Sequence, residues 1–236
     1  MHPPHSAAVI SSPKPPRSPR SQPWKDQRHK QILNAAFDEF AERGYETTRL
    51  EDVAKRAGIA KGTIYLYFKN KELLFRAVLR DQITHVLRDF AEYAENSSSS
   101  SEDLLREFLV RQYSELVANA KARSIIRLLI SESHKFPQLA EIYYNDIVLP
   151  GLSTIRHILE KNAGAGELTS RELTEFPQIL IAPGILAVLW SLIFGDRHPL
   201  DLETYRQAHL QFVLSGLRGR TGFATAAEFG GSREDS

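Results

Sequence analysis

The sequence contains no cysteine. A disulfide framework, a cysteine-ligated zinc finger and a thiol nucleophile are therefore excluded. Long apolar runs are also missing: residues 179–194 form the longest, but Pro183 and Gly184 interrupt it and it falls short of the ~20 residues of a membrane span. No apolar stretch near the amino terminus has the length of a secretory signal. These absences favour a chain that does not enter the membrane and works in the reducing cytoplasm.

Recognisable catalytic motifs are absent as well. The sequence has no glycine-rich phosphate loop, no HExxH and no GxSxG, and its eight histidines are scattered singly. His2 and His5 lie close together, but in a segment that is expected to be flexible. We therefore expect no catalytic residue, no metal site and no cofactor.

Charge is unevenly distributed, although the net charge is only +1. Residues 1–71 hold 13 Lys and Arg against 7 Asp and Glu, a balance of +6, whereas residues 72–236 hold 17 against 22, a balance of −5. A basic front on an acidic body suits a protein that meets a polyanion at one end, but a solvated face with a basic tail gives the same balance. Seven prolines within residues 1–23 predict a disordered arm there.

Apolar residues recur at helical spacing after this arm. A first helix is predicted over residues 24–43. Thr48 and Glu51 fit a capping box at the start of a second, short helix. A third helix is predicted over residues 61–68, after a glycine-containing turn. Two short helices joined by such a turn outline a helix-turn-helix.

The remaining sequence is also helical and no segment alternates like a strand, so the predicted fold class is all-α. Asn70 is expected to cap the next helix. Helices are predicted over residues 71–95, 102–119, 122–135, 138–162, 171–195 and 201–217. Pro150 lies inside one of them and is expected to kink or break it. The last two carry more apolar surface than one small domain hides, which predicts self-association.

Residues 58–74 form the segment most specific to a known family, GIAKGTIYLYFKNKELL. It resembles the DNA-binding domain of the TetR (tetracycline-repressor-like) family, and the preceding AAFDEFAERGYETT and RLEDVAKRAG agree in order and spacing. Residues 127–144, RLLISESHKFPQLAEIYY, look like the ligand domains of AcrR/AefR-type members. The resemblance implies a three-helix helix-turn-helix domain (24–70) and a larger helical domain for ligand binding and dimerisation (71–217). The disordered basic, proline-rich arm (1–23) is an addition to the family pattern, and a flexible tail is predicted over residues 218–236.

The resemblance also assigns roles to particular residues. The third helix is expected to enter the major groove of an operator, where base edges distinguish all four base pairs. The residues expected to contact DNA are Thr47, Thr48, Lys61, Gly62, Thr63, Tyr65, Tyr67 and Lys71. Each has a structural alternative, since the threonine can be only a cap, the tyrosines only packing residues and the lysine only solvated. Ala60 and Leu66 depart from the family pattern, and alanine can neither cap a helix nor contact a phosphate.

A ligand pocket is expected in the larger domain, lined by apolar and aromatic side chains with a few polar groups. The candidates are Phe90, Phe108, Tyr113, Arg127, His134, Tyr143 and Trp190. Most aromatic residues at helical spacing belong to a core, so only part of this set is expected to face a pocket. Arg127 and His134 on such hydrophobic helices favour an apolar or aromatic effector that can carry a negative charge.

The sequence thus predicts a ligand-responsive DNA-binding regulator of efflux, envelope or catabolic genes, a repressor released from its operator by a small apolar or aromatic effector. Its expected partners are double-stranded DNA, that effector and a second copy of the chain, paired through residues 171–195 and 201–217. A helical enzyme is the main alternative and would show turnover without DNA affinity. A non-specific DNA-packaging protein is the other, and its surface would be basic throughout.

Overall fold

A computed structural model describes residues 21–161 and 171–218 of the protein, so residues 1–20 of the predicted arm and 219–236 of the predicted tail lie outside the described residues. Every regular element within these two ranges is a helix, as predicted. The α-helices are α1 (Ser21–Thr47), α2 (Leu50–Arg56), α3 (Lys61–Tyr67), α4 (Lys71–Leu79), α5 (His85–Asn96), α6 (Ser101–Gln112), α7 (Ala120–Glu132), α8 (Pro137–Tyr143), α9 (Leu149–Lys161), α10 (Arg171–Glu175), α11 (Gln178–Phe194) and α12 (Leu202–Arg218).

Three π-helical segments of five residues complete these elements. Arg80–Thr84 joins α4 to α5, Tyr113–Val117 extends α6, and Tyr144–Val148 joins α8 to α9. Periodicity alone does not distinguish a π-helical turn from an α-helical one, and all three were missed. The result is two long helices, residues 71–96 and 137–161, that each run without a break through a wider turn.

α1 begins inside the predicted arm and continues past the predicted end. Pro23 is tolerated because an N–H in the first turn has no intrahelical partner. Gly44 interrupts the helical geometry with φ +82°, a left-handed conformation that glycine adopts easily. The predicted capping box is wrong: Arg49 precedes α2 without a side-chain cap, and the Thr48 hydroxyl donates to the Gly44 carbonyl at 2.7 Å instead.

The starts of α3 and α4 agree with the sequence. Ala60 precedes α3 and provides no side-chain cap. Asn70 caps α4, because its side-chain oxygen accepts a hydrogen bond from the Leu73 N–H at 2.8 Å. Both predictions are confirmed.

Pro150 does not break the helix that contains it, so the break allowed by the prediction does not occur. The π-helical segment Tyr144–Val148 lies directly before the proline, and there the Leu149 N–H reaches back five residues to the Tyr144 carbonyl. The wider turn leaves room for the proline ring and has no need of its missing N–H.

A different proline divides the helix that was predicted over residues 171–195. α10 ends before Phe176, and α11 starts after Pro177. The residue before a proline avoids the helical region, so the chain turns at this point and then restarts a helix. Pro183 lies inside α11 without ending it.

The helices pack around two large apolar cores. The first joins α1, α2 and α3 to α4, α7 and α8, and its members include Ile32, Val53, Ile64, Leu74, Ile125 and Leu139. The second lies among α5, α6, α9, α11 and α12, and its members include Phe90, Phe108, Ile155, Leu180 and Leu210. The continuous helix formed by α4 and α5 therefore runs from the core of the helix-turn-helix into the core of the larger domain.

None of the helices within the described ranges combines the length and the apolar character that a bilayer crossing demands. The same residues contain no group of three or more histidine and acidic side chains placed to hold a metal ion.

Candidate DNA-binding surface and effector cavity

α3 presents an open surface on the side away from the core. Lys61 and Leu66 are the most exposed of its side chains described here, at 71% and 84%, and Tyr65 is also exposed. A Cβ built at Gly62 would meet no atom within 4 Å. Ile64 is fully buried on the opposite side of the helix and anchors α3 to the first core. The exposed face can therefore approach another molecule closely while its backbone stays fixed.

Glu51 of α2 contacts two of the predicted DNA-binding side chains. Its Oε1 accepts a hydrogen bond from the Tyr65 hydroxyl at 2.8 Å and lies 3.2 Å from the Lys61 ammonium. Its own backbone N–H, the Tyr65 hydroxyl and the Lys61 ammonium together lower the pKa of Glu51 to about 2. The carboxylate is thus ionised at neutral pH and orients both side chains.

Thr48 and Lys71 are instead engaged inside the protein. The Thr48 side chain is buried, so its hydroxyl cannot reach a phosphate in this arrangement. The Lys71 ammonium donates to the carbonyls of Tyr45 at 2.6 Å and Glu46 at 2.9 Å, and it lies over the Tyr45 ring. Partial burial lowers the pKa of Lys71. Both side chains bind the carboxyl end of α1, so Thr48 is not the predicted cap and Lys71 is not merely solvated.

Thr47, Thr63 and Tyr67 have intermediate surroundings. Thr47 is exposed, although its hydroxyl donates to the Arg43 carbonyl at 2.5 Å. Thr63 and Tyr67 are half-buried, and Tyr67 packs against the first core with its ring 6.2 Å from that of His29. Their contact with DNA stays a prediction.

A cavity of about 230 Å³ lies between α5, α6, α9, α11, the end of α8 and the three π-helical segments. Its wall is mostly apolar. The lining residues are Ile83, Leu87, Phe90, Phe108, Arg111, Gln112, Glu115, Leu116, Tyr143, Ile147, Val148, Gly151, Leu152, Ile181 and Ile185. Phe90, Phe108 and Tyr143 from the predicted ligand-binding set are among them.

The other predicted ligand-binding residues, Tyr113, Arg127, His134 and Trp190, do not line this cavity. α7 buries Ile125 and Leu128, which turns Arg127 to the surface, where it contacts the Ala41 carbonyl at 3.4 Å. His134 lies beyond the end of α7 and is exposed. These residues were predicted to bind a ligand because they are charged or aromatic. Whether each one lines the cavity depends instead on which face of its helix it occupies.

Tyr113 and Trp190 have partners of their own. The Tyr113 hydroxyl is 3.0 Å from Nδ1 of His209, in a buried contact between α12 and the π-helical extension of α6. The Trp190 indole N–H donates to the His198 carbonyl at 2.7 Å, and its ring packs on Phe194.

Gln112 is a wall residue that sequence reasoning missed. Its Nε2 donates to the Ile181 carbonyl at 3.1 Å, and its Oε1 is buried with no hydrogen-bond partner among the described residues. The signal was present in the sequence, because Gln112 continues the buried stripe of Leu105 and Phe108 at helical spacing.

Asp146 is a second residue that was missed, and it connects the cavity wall to α4. It belongs to the π-helical segment that supplies Ile147 and Val148 to the wall. Its buried carboxylate accepts two hydrogen bonds of 2.7 Å from the Arg76 guanidinium and one of 3.1 Å from Arg80. The Arg76 hydrogen bonds, with a smaller contribution from Arg80, hold the pKa of Asp146 below its ordinary value.

The fold and these two sites define a helix-turn-helix protein with a cavity-bearing helical domain. Residues 32–78 match the family described as "Bacterial regulatory proteins, tetR family", and residues 104–174 match the "AefR-like transcriptional repressor, C-terminal domain". The chain belongs to the TetR family of transcriptional regulators. The resemblance seen in the sequence and the predicted order of a helix-turn-helix followed by a helical domain are confirmed.

Named relatives match most of the chain or about half of it. The fatty acid metabolism regulator protein of Bacillus subtilis (strain 168) is 24% identical over 196 residues, which are 83% of this chain and 98% of the relative. The transcriptional regulator TtgR of Pseudomonas putida is 34% identical over 114 residues, 48% of this chain and 53% of the relative. These relatives are regulators and not enzymes by name.

A solved structure of the regulator FadR from Bacillus subtilis in complex with stearoyl-CoA has the same fold. The TM-score is 0.65 at 23% sequence identity, and the match covers 80% of this chain and 98% of that one.

Proposed function

We propose that the protein is a one-component repressor that binds operator DNA through α3 and is released when an apolar effector occupies the cavity. The observation that carries the proposal is the continuous helix of α4 and α5. Leu74, near its start, packs in the core of the helix-turn-helix, whereas Leu87 and Phe90, further along, line the cavity. A molecule in the cavity therefore touches the same helix that supports the DNA-binding surface.

The DNA-binding part of the proposal rests on the exposed face of α3. Lys61 can reach a phosphate or a guanine edge, and Gly62 lets the backbone approach the DNA. Tyr65 is suited to a phosphate contact, and Leu66 can pack on a thymine methyl group. Thr48 and Lys71 are left out because they are engaged within the protein.

The effector part rests on the apolar wall. A fatty acid metabolism regulator covers 83% of this chain, and the neighbouring FadR structure holds stearoyl-CoA, which supports an effector with an apolar chain. Arg127 and His134 gave the sequence-based reason for an anionic effector, and both lie outside the wall. The proposed effector is therefore apolar.

Transmission to the DNA-binding surface is proposed to pass through Asp146. An occupant that displaces Ile147 or Val148 moves the π-helical segment that carries Asp146. The bidentate ion pair with Arg76 then carries this movement to α4. A ligand shifts the equilibrium only as far as it binds the two states unequally.

The proposal also includes a homodimer formed through α11 and α12. These helices expose several large apolar side chains, among them Leu186, Ile193 and Phe212. A second copy would cover them and would place two α3 helices about one DNA turn, ~34–36 Å, or a multiple of that, apart.

The test is a titration of the full chain against DNA from its own upstream intergenic region and against an unrelated duplex of equal length, at two salt concentrations. We expect a preference of about a thousandfold for the upstream DNA, with a footprint of two protomers. Equal, steeply salt-dependent binding to both would contradict specific recognition and favour a packaging protein.

Lys61→Ala supplies the matched variant for this titration. It should weaken binding to both duplexes and reduce the salt slope by about one, as expected for one lost phosphate contact. Arg106→Ala removes a cation from α6, outside the helix-turn-helix, and should leave both quantities unchanged. Equal effects of the two variants would argue against α3 as the DNA-binding element.

A further inference from the structure

We infer that the effector carries an uncharged group that both donates and accepts a hydrogen bond, such as a hydroxyl, and that Gln112 and Tyr143 select this group. The inference rests on the proposed function, because it concerns the chemistry of the effector cavity. It is carried by the polar atoms of the wall that have no partner within the described part of the chain.

Gln112 provides the acceptor. The hydrogen bond from its Nε2 to the Ile181 carbonyl fixes which end of the amide is which, because the reverse orientation would bring two oxygens to 3.1 Å. Gly184 leaves room for this amide to pack against α11, since a Cβ there would lie 2.6 Å from the Gln112 Oε1. That oxygen is buried and unpartnered among the described residues, so a donor from the effector would satisfy it.

Tyr143 provides the donor. Burial alone raises the pKa of its phenol to about 12, so the hydroxyl keeps its proton at neutral pH. No hydrogen bond joins this hydroxyl to another described residue. A phenol in an apolar wall offers one O–H to an acceptor on the effector.

The charged wall residues do not compete for the polar group. The Arg111 guanidinium is bound to Glu107 at 2.7 Å and lies 5.1 Å from the centre of the Phe90 ring. Glu107 therefore already neutralises part of the guanidinium charge through Nε and Nη2, which lowers the gain from an effector carboxylate. Glu115 is only half-buried, so water solvates it at the rim. The neutral wall groups that lack a partner among the described residues are the Gln112 Oε1 and the Tyr143 hydroxyl.

The experiment measures dissociation constants by calorimetry for three matched series of probes: n-alkan-1-ols, n-alkanoates and n-alkylamines, each from butyl to dodecyl. At the best chain length we expect the alcohol to bind at least tenfold more tightly than either charged probe. Tighter binding of an alkanoate would assign the site to Arg111, and tighter binding of an alkylamine would assign it to Glu115. Either result, or binding by none of the three, would overturn the inference.

Two variants of wall residues and one control test whether Gln112 and Tyr143 select the polar group of the effector. Tyr143→Phe and Gln112→Met should each weaken alcohol binding by about five- to tenfold, the effect of one lost neutral hydrogen bond, and narrow the margin over the charged probes. Tyr144→Phe removes a hydroxyl from the exposed neighbour that does not line the cavity, and it should change nothing. Unchanged alcohol affinity in Tyr143→Phe would overturn the inference.

The two proposals can fail separately. If the alcohol binds selectively but leaves DNA affinity unaltered, the repressor mechanism is wrong while the assignment of the cavity stands. If the protein binds and releases its upstream DNA but prefers a charged effector, the assignment of the cavity is wrong while the repressor mechanism stands.

Discussion

At the scale of single residues, Gly44 and Glu132 fasten the helix-turn-helix to the larger domain. Glu132, at the end of α7, accepts hydrogen bonds from the backbone N–H groups of Tyr45 at 2.9 Å and Glu46 at 3.2 Å. The left-handed conformation of Gly44 turns these two N–H groups toward the carboxylate. A Cβ on Gly44 would lie 2.3 Å from the Glu132 Oε1.

Gly44→Ala is therefore expected to lower the free energy of unfolding by about 1–3 kcal/mol, because the new methyl group is strained and displaces Glu132. Urea unfolding followed by circular dichroism measures the change. Gly62→Ala is the matched control, since a methyl group there enters open space in a helix and should leave stability equal or raise it by up to about 1 kcal/mol. An equal loss in both variants would contradict the role of Gly44.

At the scale of elements, the π-helical segment Tyr144–Val148 joins α8 to α9 and brings Asp146 to α4. The segment places apolar side chains in the cavity wall and a carboxylate against two arginines. Because Arg76 and Arg80 lower the pKa of Asp146, this contact stabilises the folded state fully above the carboxyl's ordinary pKa of 3.8. The stabilisation is lost as the pH falls through the lower, folded-state pKa.

Asp146→Asn should lower the free energy of unfolding at pH 7 by about 1.5–3 kcal/mol, the range for hydrogen bonds to a charged group. It should also flatten the fall of stability below about pH 4, because the group that titrates there has been removed. Urea unfolding at several pH values tests both effects. Asp89→Asn, at an exposed position on α5, should reproduce neither, and a wild-type pH profile in Asp146→Asn would rule out this role.

The helices themselves could largely be predicted from the sequence, but not the contacts that link them. Apolar periodicity gave the order of the helices, and Asn70 was found because an asparagine cap depends only on residues nearby in the chain. Thr48 was assigned to a cap, whereas its hydroxyl bonds back to α1, a choice that depends on how Gly44 bends the chain.

The site residues show the same difference between features set by nearby residues and contacts that depend on distant ones. Exposure of Gly62 and Leu66 follows from their place on α3 opposite Ile64. Gln112 and Asp146 were missed because a polar residue on a buried stripe has a role only once its partner, Ile181 or Arg76, is known. Those partners lie about 70 residues away in the chain.

At the scale of the whole molecule, the exposed apolar faces of α11 and α12 are the surface proposed to pair two copies. Phe212 is 75% exposed and Ile193 is 67% exposed. Large apolar side chains that lie together on a surface commonly mark an interface between proteins.

Phe212→Glu should shift the protein from dimer to monomer in analytical ultracentrifugation, because a buried carboxylate without a partner is costly. Operator affinity should also fall, since a monomer places only one α3 helix on an operator that has two half-sites. Ile130→Glu changes a residue of 60% exposure on α7 and should leave the dimer intact. If the dimer persisted in Phe212→Glu and dissociated in Ile130→Glu, the interface would have to include α7 and not α12.

The central claim is that occupancy of the cavity sets DNA affinity, and its most direct test is the dissociation constant for the upstream DNA with and without a saturating n-alkan-1-ol. We expect saturation to weaken DNA binding by at least fivefold, within the usual range of allosteric coupling. Gly151→Phe fills the cavity, where a Cβ has only the Phe108 ring at 4.0 Å, and should abolish alcohol binding and the response together. Unchanged DNA affinity in wild-type protein that calorimetry shows to be saturated would contradict the account.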